Sequence, residues 1–150
     1  MTTAVTRPNT VTTRIDTPDH TATPAGMFTT TVYLNTHPDY YNGYQPHHPL
    51  AAALMLTQPL RLVFRASDRI RTHEDAADAA FTVGNHQRRD DVGQGWPADI
   101  RRLVSVGDVV KVTGPDHSII HLSVDHCGFT AVAEPDTLVD MPPTLTNRRF

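Results

Sequence analysis

The sequence predicts a single α+β domain, with a small antiparallel sheet, two to three helices and a C-terminal three-stranded meander. Three observations support this fold class. Apolar residues alternate along several short segments, as in half-buried strands. An apolar stripe at i, i+3, i+4 and i+7 marks a helix in the middle of the chain. A length of 150 residues fits one domain.

The first half of the domain is predicted as strand, loop, helix and strand. β-branched and aromatic residues alternate over 28–34, which favours a strand. A loop follows at 37–48, because Pro, Asn-Gly and a second Pro interrupt any period. Pro49 suits a first helical turn, and the helix formers that follow extend the predicted helix to residue 56. Pro59 ends it, and a second strand is predicted over 60–66.

The second half is predicted as helix, helical turn and three strands. Thr72 is a good N-cap, Asp75 takes the capping-box position, and Gly84 ends the helix. Pro97 is predicted to open one more helical turn. Strands follow at 104–112, 118–124 and 129–133, with a turn at 114–116. The predicted core comprises Val32, Leu54, Leu62, Phe64, Ala80, Ile100, Val109, Ile120, Leu122 and Phe129.

Both ends of the chain are predicted to be flexible tails around a domain at 28–134. Residues 1–27 are rich in Thr and Pro and hold almost nothing that could form a core. Such a segment cannot bury enough apolar surface to offset its ordering entropy, so it is predicted to be disordered. Residues 135–150 are similarly poor in apolar side chains and form the second predicted tail.

Composition limits the function classes. The formal charge of -3 and the pI near 6.3 argue against a protein that binds nucleic acid by bulk attraction. Cys127 is the only cysteine, which favours a reducing compartment. No leader-like apolar segment or run of about 20 apolar residues occurs, so a cytoplasmic protein without membrane insertion is expected. The near absence of lysine suggests a GC-rich, actinobacterial genome.

Three C-terminal motifs resemble a known family. They are Ala80-Phe-Thr-Val-Gly-Asn85, the run Val-Ser-Val-Gly-Asp-Val-Val-Lys-Val at 104–112, and Val124-Asp-His-Cys-Gly-Phe129. In this order they resemble the YodL-like family of small uncharacterised bacterial proteins, common in actinobacteria and on mobile elements. The resemblance covers roughly residues 60–133. The chain departs from the pattern at residues 102–104 and in the displaced Asn85. The resemblance implies a fold and carries over no catalytic residue.

The loop at 37–48 is the predicted binding site. Large, rather rigid and partly polar side chains on a loop are typical of recognition surfaces. The alternative is that the loop folds back and its tyrosines cover the edge of the core. The predicted site residues are Tyr40, Tyr41, Tyr44, His47 and His48.

A structural role is predicted for Gly107 and Asp108. Gly107 is expected to adopt a backbone conformation open mainly to glycine. Asp108 is expected to accept hydrogen bonds from nearby amides.

The predicted function is a non-catalytic binding or accessory protein that docks on a host protein and is encoded on a phage or another mobile element. No enzyme motif occurs, and no cofactor is expected. One alternative is a nucleic-acid-binding module that combines the tyrosines with an arginine face. A second alternative is a small metal-dependent hydrolase using His121, His126 and Cys127. The arginine face comprises Arg61, Arg65, Arg88, Arg89, Arg101 and Arg102.

Overall fold

A computed structural model describes residues 26–146 of the chain. Within that range, one helix packs on one face of a six-stranded antiparallel sheet, and a separate two-stranded hairpin extends from one edge. The elements are β1 (Met27–Asn35), β2 (Leu50–Ala52), β3 (Leu54–Met55), β4 (Gln58–Pro59), β5 (Leu62–Arg65), α1 (His73–Asn85), β6 (Val109–Thr113), β7 (Ile119–Asp125) and β8 (Gly128–Val132), with short 3-10 turns at Tyr40–Asn42 and Pro143–Leu145.

The long strand β1 organises the sheet. Its first half pairs with β5, in the register Phe28↔Phe64, and its second half pairs with β2, in the register Leu34↔Ala51. Its other edge pairs with β6, which continues through β7 to β8 as an antiparallel meander. β3 and β4 form the separate hairpin between β2 and β5. The end of β1 therefore lies between β2 and the start of β6.

The core lies between α1 and the sheet. The helix contributes small side chains, including Ala76, Ala80 and Val83, and the sheet contributes larger ones such as Leu62 and Leu122. The capping box predicted at the start of α1 is confirmed, since Thr72 Oγ1 accepts from the amide of Asp75 and the Asp75 carboxylate accepts from the amide of Thr72. An N-cap of this kind contributes about 1 kcal/mol.

The predicted fold class is wrong in its helix content, because the described residues hold one α-helix and not two to three. Residues 49–56, predicted as a helix, form β2, β3 and a turn. Their helix propensity is overridden by tertiary pairing: Leu50 is wholly buried, and β2 completes the edge of β1. Leu56, at φ +59°, turns the chain back into β4. The predicted helical turn after Pro97 is only the bond from the Ile100 amide to the Pro97 carbonyl.

The strand predicted over 104–112 begins only at Val109. The chain first makes a turn, in which the amide of Asp108 donates to the carbonyl of Ser105 (3.1 Å) and Gly107 adopts φ +93°. Seven of the predicted core residues are buried, whereas Leu54, Ile120 and Phe129 are partly exposed.

The two predicted tails differ in how much of them the structure describes. The segment predicted as the N-terminal tail lies outside the described residues up to position 25. The segment predicted as the C-terminal tail is described as far as Thr146. The amide of Val139 donates to the carbonyl of Leu50 (2.8 Å), and the amide of Arg101 donates to the carbonyl of Leu145 (2.9 Å). The chain from 137 to 146 is thus attached to β2 at one end and to the turn at residues 100–101 at the other.

Candidate functional site

A wholly buried carboxylate, Asp108, lies just before β6 and accepts four N–H groups. The amide of Asn35 donates to Oδ1 and the amide of Ser105 to Oδ2, each at 2.8 Å. Arg102 binds the same carboxylate bidentately, with Nη2 2.8 Å from Oδ1 and Nη1 2.9 Å from Oδ2. Charge-assisted bidentate pairs of this kind are the strongest hydrogen bonds that side chains make. We call Asn35, Arg102, Ser105 and Asp108 the Asp108 network.

The hydrogen bonds of this network suit an ionised carboxylate. Burial raises the pKa of Asp108, while the Arg102 guanidinium and the amides of Asn35 and Ser105 act to lower it. Both oxygens already face N–H donors, so a proton on either would displace one of them. The prediction that Asp108 accepts from nearby amides is confirmed. Sequence reasoning missed its pairing with Arg102, which it had placed on a surface arginine face.

The Asp108 network supports the loop that carries the predicted site. We call residues 36–49 the tyrosine–histidine loop. The ring of Tyr40 lies over the Arg102 guanidinium, with 4.2 Å between the guanidinium carbon and the ring centroid. Gly107 passes directly beneath: a Cβ on it would lie 2.0 Å from the carbonyl oxygen of Tyr40, and its φ is +93°. The predicted need for glycine at this position is confirmed.

The side chain of Asn35 fixes the protonation of His48. Asn35 Nδ2 donates to the carbonyl of Gly107 (2.9 Å), and its Oδ1 accepts from the amide of His37 (2.9 Å), so the orientation of the amide is determined. The same Nδ2 lies 2.9 Å from His48 Nδ1, and the amide of Gln45 donates to that nitrogen at 3.2 Å. Two donors therefore face Nδ1. The neutral ring must carry its proton on Nε2.

His48 is also held in the neutral state. Its side chain is 4% exposed, and burial lowers its pKa, as do the neighbouring His37 and His47 rings; Asp39 acts in the opposite direction. A neutral ring whose Nδ1 is already occupied keeps a single N–H donor, on Nε2.

Three histidines of the loop form a cluster. One ring nitrogen from each of His37, His47 and His48 lies within 4.8 Å of the others, close enough for a shared metal ion. The rings of His37 and His48 are stacked at 4.2 Å, and His47 meets His48 edge-on at 4.7 Å. Histidine was predicted here at positions 47 and 48, but His37, at the end of β1, was missed. Its position before Pro38 gave only a loop signal.

The hydrogen bonds of this cluster do not suit metal coordination. A metal-bound histidine offers a lone pair from one nitrogen and donates its other N–H to an acceptor. In His48, and also in His37, where the amide of Asp39 donates to Nδ1 at 3.0 Å, the second nitrogen accepts instead. The remaining nitrogen of each of these two rings is therefore an N–H donor, which disfavours a metal ion shared by His37 and His48.

The predicted site residues are together in the loop, but they divide into two groups. Tyr40 and His48 face inward and anchor the loop. Tyr41, 57% exposed, and His47 face outward. Tyr44 lies half-buried with its ring edge-on to His48, and burial raises the pKa of Tyr44. Tyr40 thus follows the alternative in which the loop folds back, whereas recognition through Tyr41 and His47 stays a prediction.

The residues of the metal-hydrolase alternative are not brought together. His121 lies buried in β7 between Lys111 and Val132 of the adjacent strands. His126 and Cys127 form the exposed turn that connects β7 to β8. The strand from His121 to its end at Asp125 spans about 13 Å at the usual rise per residue.

The arginine face is interrupted by the Asp108 network. Arg102 is directed inward to Asp108, and its buried Nε has no hydrogen-bond partner among the described residues. Arg89 is also engaged, since its Nη1 donates to the carbonyl of Gly93 at 2.8 Å. Of the remaining arginines, Arg61 directly precedes β5 and Arg65 ends it, whereas Arg88 and Arg101 lie outside the helix and strands.

A further cluster, at the β6–β7 turn, superficially resembles a nucleophilic site. His73 Nε2 lies 3.1 Å from Ser118 Oγ, and that hydroxyl lies 2.6 Å from Asp116 Oδ1. However, Nε2 also lies 3.0 Å from the carbonyl oxygen of Ser118, which can only accept. The His73 proton is therefore on Nε2, and the hydroxyl donates to Asp116. No base faces the hydroxyl in the order that a catalytic triad requires.

Comparison with known proteins adds no relative: no protein-family model, no curated protein and no solved structure matches the chain. The resemblance to YodL-like proteins stays a prediction. Across residues 26–146 no helix has the length and apolar character needed to cross a bilayer.

Proposed function

We propose that this protein is a non-catalytic binding protein that docks on another protein through its tyrosine–histidine loop. One observation carries the proposal: the wholly buried carboxylate of Asp108 pairs with the largely buried guanidinium of Arg102 beneath this surface loop. The prediction of a host-protein partner, and of a phage or mobile element as the source, agrees with this role and remains to be tested.

The energetics of buried charge support this proposal. Replacing a buried ion pair with apolar side chains is often neutral or stabilising, so such a pair contributes little to stability over an apolar core. Here the pair and its Asn35 amide instead fix the conformation of a long loop. Fixing a loop before binding reduces the entropy lost on association.

The loop also presents suitable chemistry. Tyr41 and His47 are exposed, and tyrosine supplies a large contact area with few rotatable bonds. The partly exposed His37 ring accepts from the amide of Asp39 at Nδ1, so its Nε2 carries an N–H group. We expect the partner to supply a hydrogen-bond acceptor, such as a carbonyl or carboxylate oxygen, opposite this ring.

Site-specific crosslinking tests the proposal. A photoreactive residue placed at position 41 is expected to capture a defined protein from the host lysate, whereas the same residue at Asp78, exposed on α1, captures none. Tyr41→Ala is expected to weaken binding of the captured protein at least about tenfold, as for aromatic anchors at interfaces. The melting temperature should stay nearly unchanged, because the ring is exposed. Equal capture from both positions would contradict the proposal.

The two alternatives give different results in the same protein. A nucleic-acid-binding module would bind oligonucleotides with a steep dependence on salt. A metal-dependent hydrolase using His121, His126 and Cys127 would bind Zn²⁺. The inward direction of Arg102 disfavours the first alternative, and the separation of buried His121 from the exposed turn at His126 and Cys127 disfavours the second.

A further inference from the structure

The large sheet has three outer strands, β2, β5 and β8, and the first two are covered by other parts of the chain. β2 bonds to the C-terminal segment, since the amide of Leu50 donates to the carbonyl of Thr137 (3.0 Å) and the amide of Val139 donates to the carbonyl of Leu50 (2.8 Å). β5 bonds to a loop, since the amide of Val63 donates to Asp90 Oδ2 (2.8 Å). Covering an edge in this way prevents it from pairing with a further strand.

The third outer strand, β8, pairs only with β7 within the range 26–146. Ser123 Oγ lies 3.4 Å from the carbonyl oxygen of Thr130, so that carbonyl faces β7. Successive residues of an antiparallel strand direct their backbone groups to opposite edges. The N–H and C=O groups of Phe129 and Ala131 therefore face away from β7, and they have no hydrogen-bond partner among the described residues.

The sequence of β8 lacks the features that normally protect an open edge. Such strands usually carry a charged side chain, most often lysine, or a proline. Gly128–Val132 reads Gly-Phe-Thr-Ala-Val and contains neither. Phe129 and Ala131 pack against the core and remain partly exposed. A further strand at this edge would therefore extend the apolar core as well as the hydrogen-bonded sheet.

A second copy of β8 fits this edge in an antiparallel, two-fold arrangement. In a two-fold dimer the same surface of each copy forms the contact, so it must be complementary to itself. A two-fold axis at Thr130 overlaps all five residues of β8 and places Phe129 of each copy opposite Ala131 of the other. Their outward N–H and C=O groups then form four hydrogen bonds. Because β8 carries no charge, the pairing brings no like charges together.

We propose that two copies of this protein associate through β8 and form one continuous sheet. Phe129 of one copy lies beside Ala131 of the other on the core side, and the two Thr130 side chains meet on the opposite side. Five paired residues make a small interface, so the association is weak and depends on concentration. The proposal is independent of the tyrosine–histidine loop, because β6 and β7 separate β8 from β1.

Disulfide trapping of the full chain tests the proposal. In the background Cys127→Ser, Thr130→Cys is expected to form a disulfide-linked dimer on mild oxidation, because the Cα atoms of directly opposed residues in a non-hydrogen-bonded pair lie about 4.5 Å apart. The matched control is Val132→Cys, on the same side of β8. Its two copies would lie about 13 Å apart along the strands, too far for a disulfide. Equal trapping of both variants, or no dimer from Thr130→Cys, would overturn the proposal.

Sedimentation equilibrium measures the association without a covalent bond. The wild type is expected to dimerise reversibly, and Ala131→Pro to weaken dimerisation about tenfold or more, since two of the four hydrogen bonds are lost. The N–H removed by this proline faces outward, so the variant should still fold, which circular dichroism checks. If it does not fold, the comparison of Thr130→Cys with Val132→Cys still decides. A wild type that stays monomeric at about 1 mM would contradict the proposal and leave the edge to a strand of another protein.

Discussion

At the scale of single residues, the main feature of the site is the ion pair between Asp108 and Arg102. Asp108 and Arg102 are six residues apart in the sequence, where neither a helix nor a strand would bring them into contact. Only the turn at Ser105 and Gly107 brings the guanidinium under the carboxylate. This is why the amide contacts of Asp108 could be predicted and the ion pair could not.

Asp108→Asn is expected to lower the free energy of unfolding by about 3 kcal/mol, because the largely buried guanidinium of Arg102 loses its counter-ion and keeps only backbone carbonyl acceptors. Urea denaturation measures this, with Asp78→Asn, exposed on α1, as the control that should stay within about 0.5 kcal/mol. The double variant Arg102→Met/Asp108→Asn should be less destabilised than Asp108→Asn alone, since no unpaired charge remains. A loss below about 1 kcal/mol for Asp108→Asn would contradict the claim that Asp108 neutralises the charge of Arg102 in the folded protein.

His48 should make stability depend on pH. Its folded-state pKa lies below the ordinary value of 6.5, so the unfolded chain binds more protons below that pH, and the free energy of unfolding falls as the solution is acidified from about pH 7. His48→Asn keeps an acceptor near the Nδ1 position but cannot titrate. Urea denaturation from pH 7.5 to 5 should show a shallower loss in this variant. Some loss persists, because burial also lowers the pKa of His73. Identical pH profiles would refute this account of His48.

At the scale of elements, the sequence correctly predicted those features that depend on interactions between neighbouring residues. The start of α1 follows from its capping box, and the tyrosine–histidine loop follows from its Pro and Asn-Gly signals. The predicted helix at 49–56 fails because Leu50 and Ala51 gain more by pairing with β1 than by forming a helix. The histidine cluster required three residues from both ends of the loop, and no spacing rule relates them.

Gly107→Ala should be much more damaging than Gly93→Ala. Both glycines have positive φ, at +93° and +89°, so both alanines incur backbone strain of about 1 kcal/mol or more. A Cβ at Gly93 meets nothing within 4 Å, whereas at Gly107 it would clash with the Tyr40 carbonyl. The difference in urea midpoint between the two variants therefore measures the close approach of the loop. Equal midpoints would mean that the loop can move away from the added Cβ without loss of stability.

At the scale of the whole molecule, the described residues form one sheet-and-helix unit that carries the tyrosine–histidine loop. The sheet and α1 bury a continuous core, and the end of β1 carries the tyrosine–histidine loop. The C-terminal segment runs beside β2. The sequence predicted strands at the positions of β1, β5, β6, β7 and β8, but the position of this segment depended on hydrogen bonds to Leu50 and Arg101, far away in the chain.

The central claim is that the Asp108 network, through the side chain of Asn35, holds the tyrosine–histidine loop in one conformation. Amide hydrogen exchange of the wild type and Asn35→Ala tests it most directly. We predict that the variant loses protection at the loop amides of His48 and Gly43, whose carbonyl partners are Gln45 and Tyr40, while β6 and β7 remain protected. Unchanged protection in the loop, or a uniform loss across the sheet, would contradict the claim.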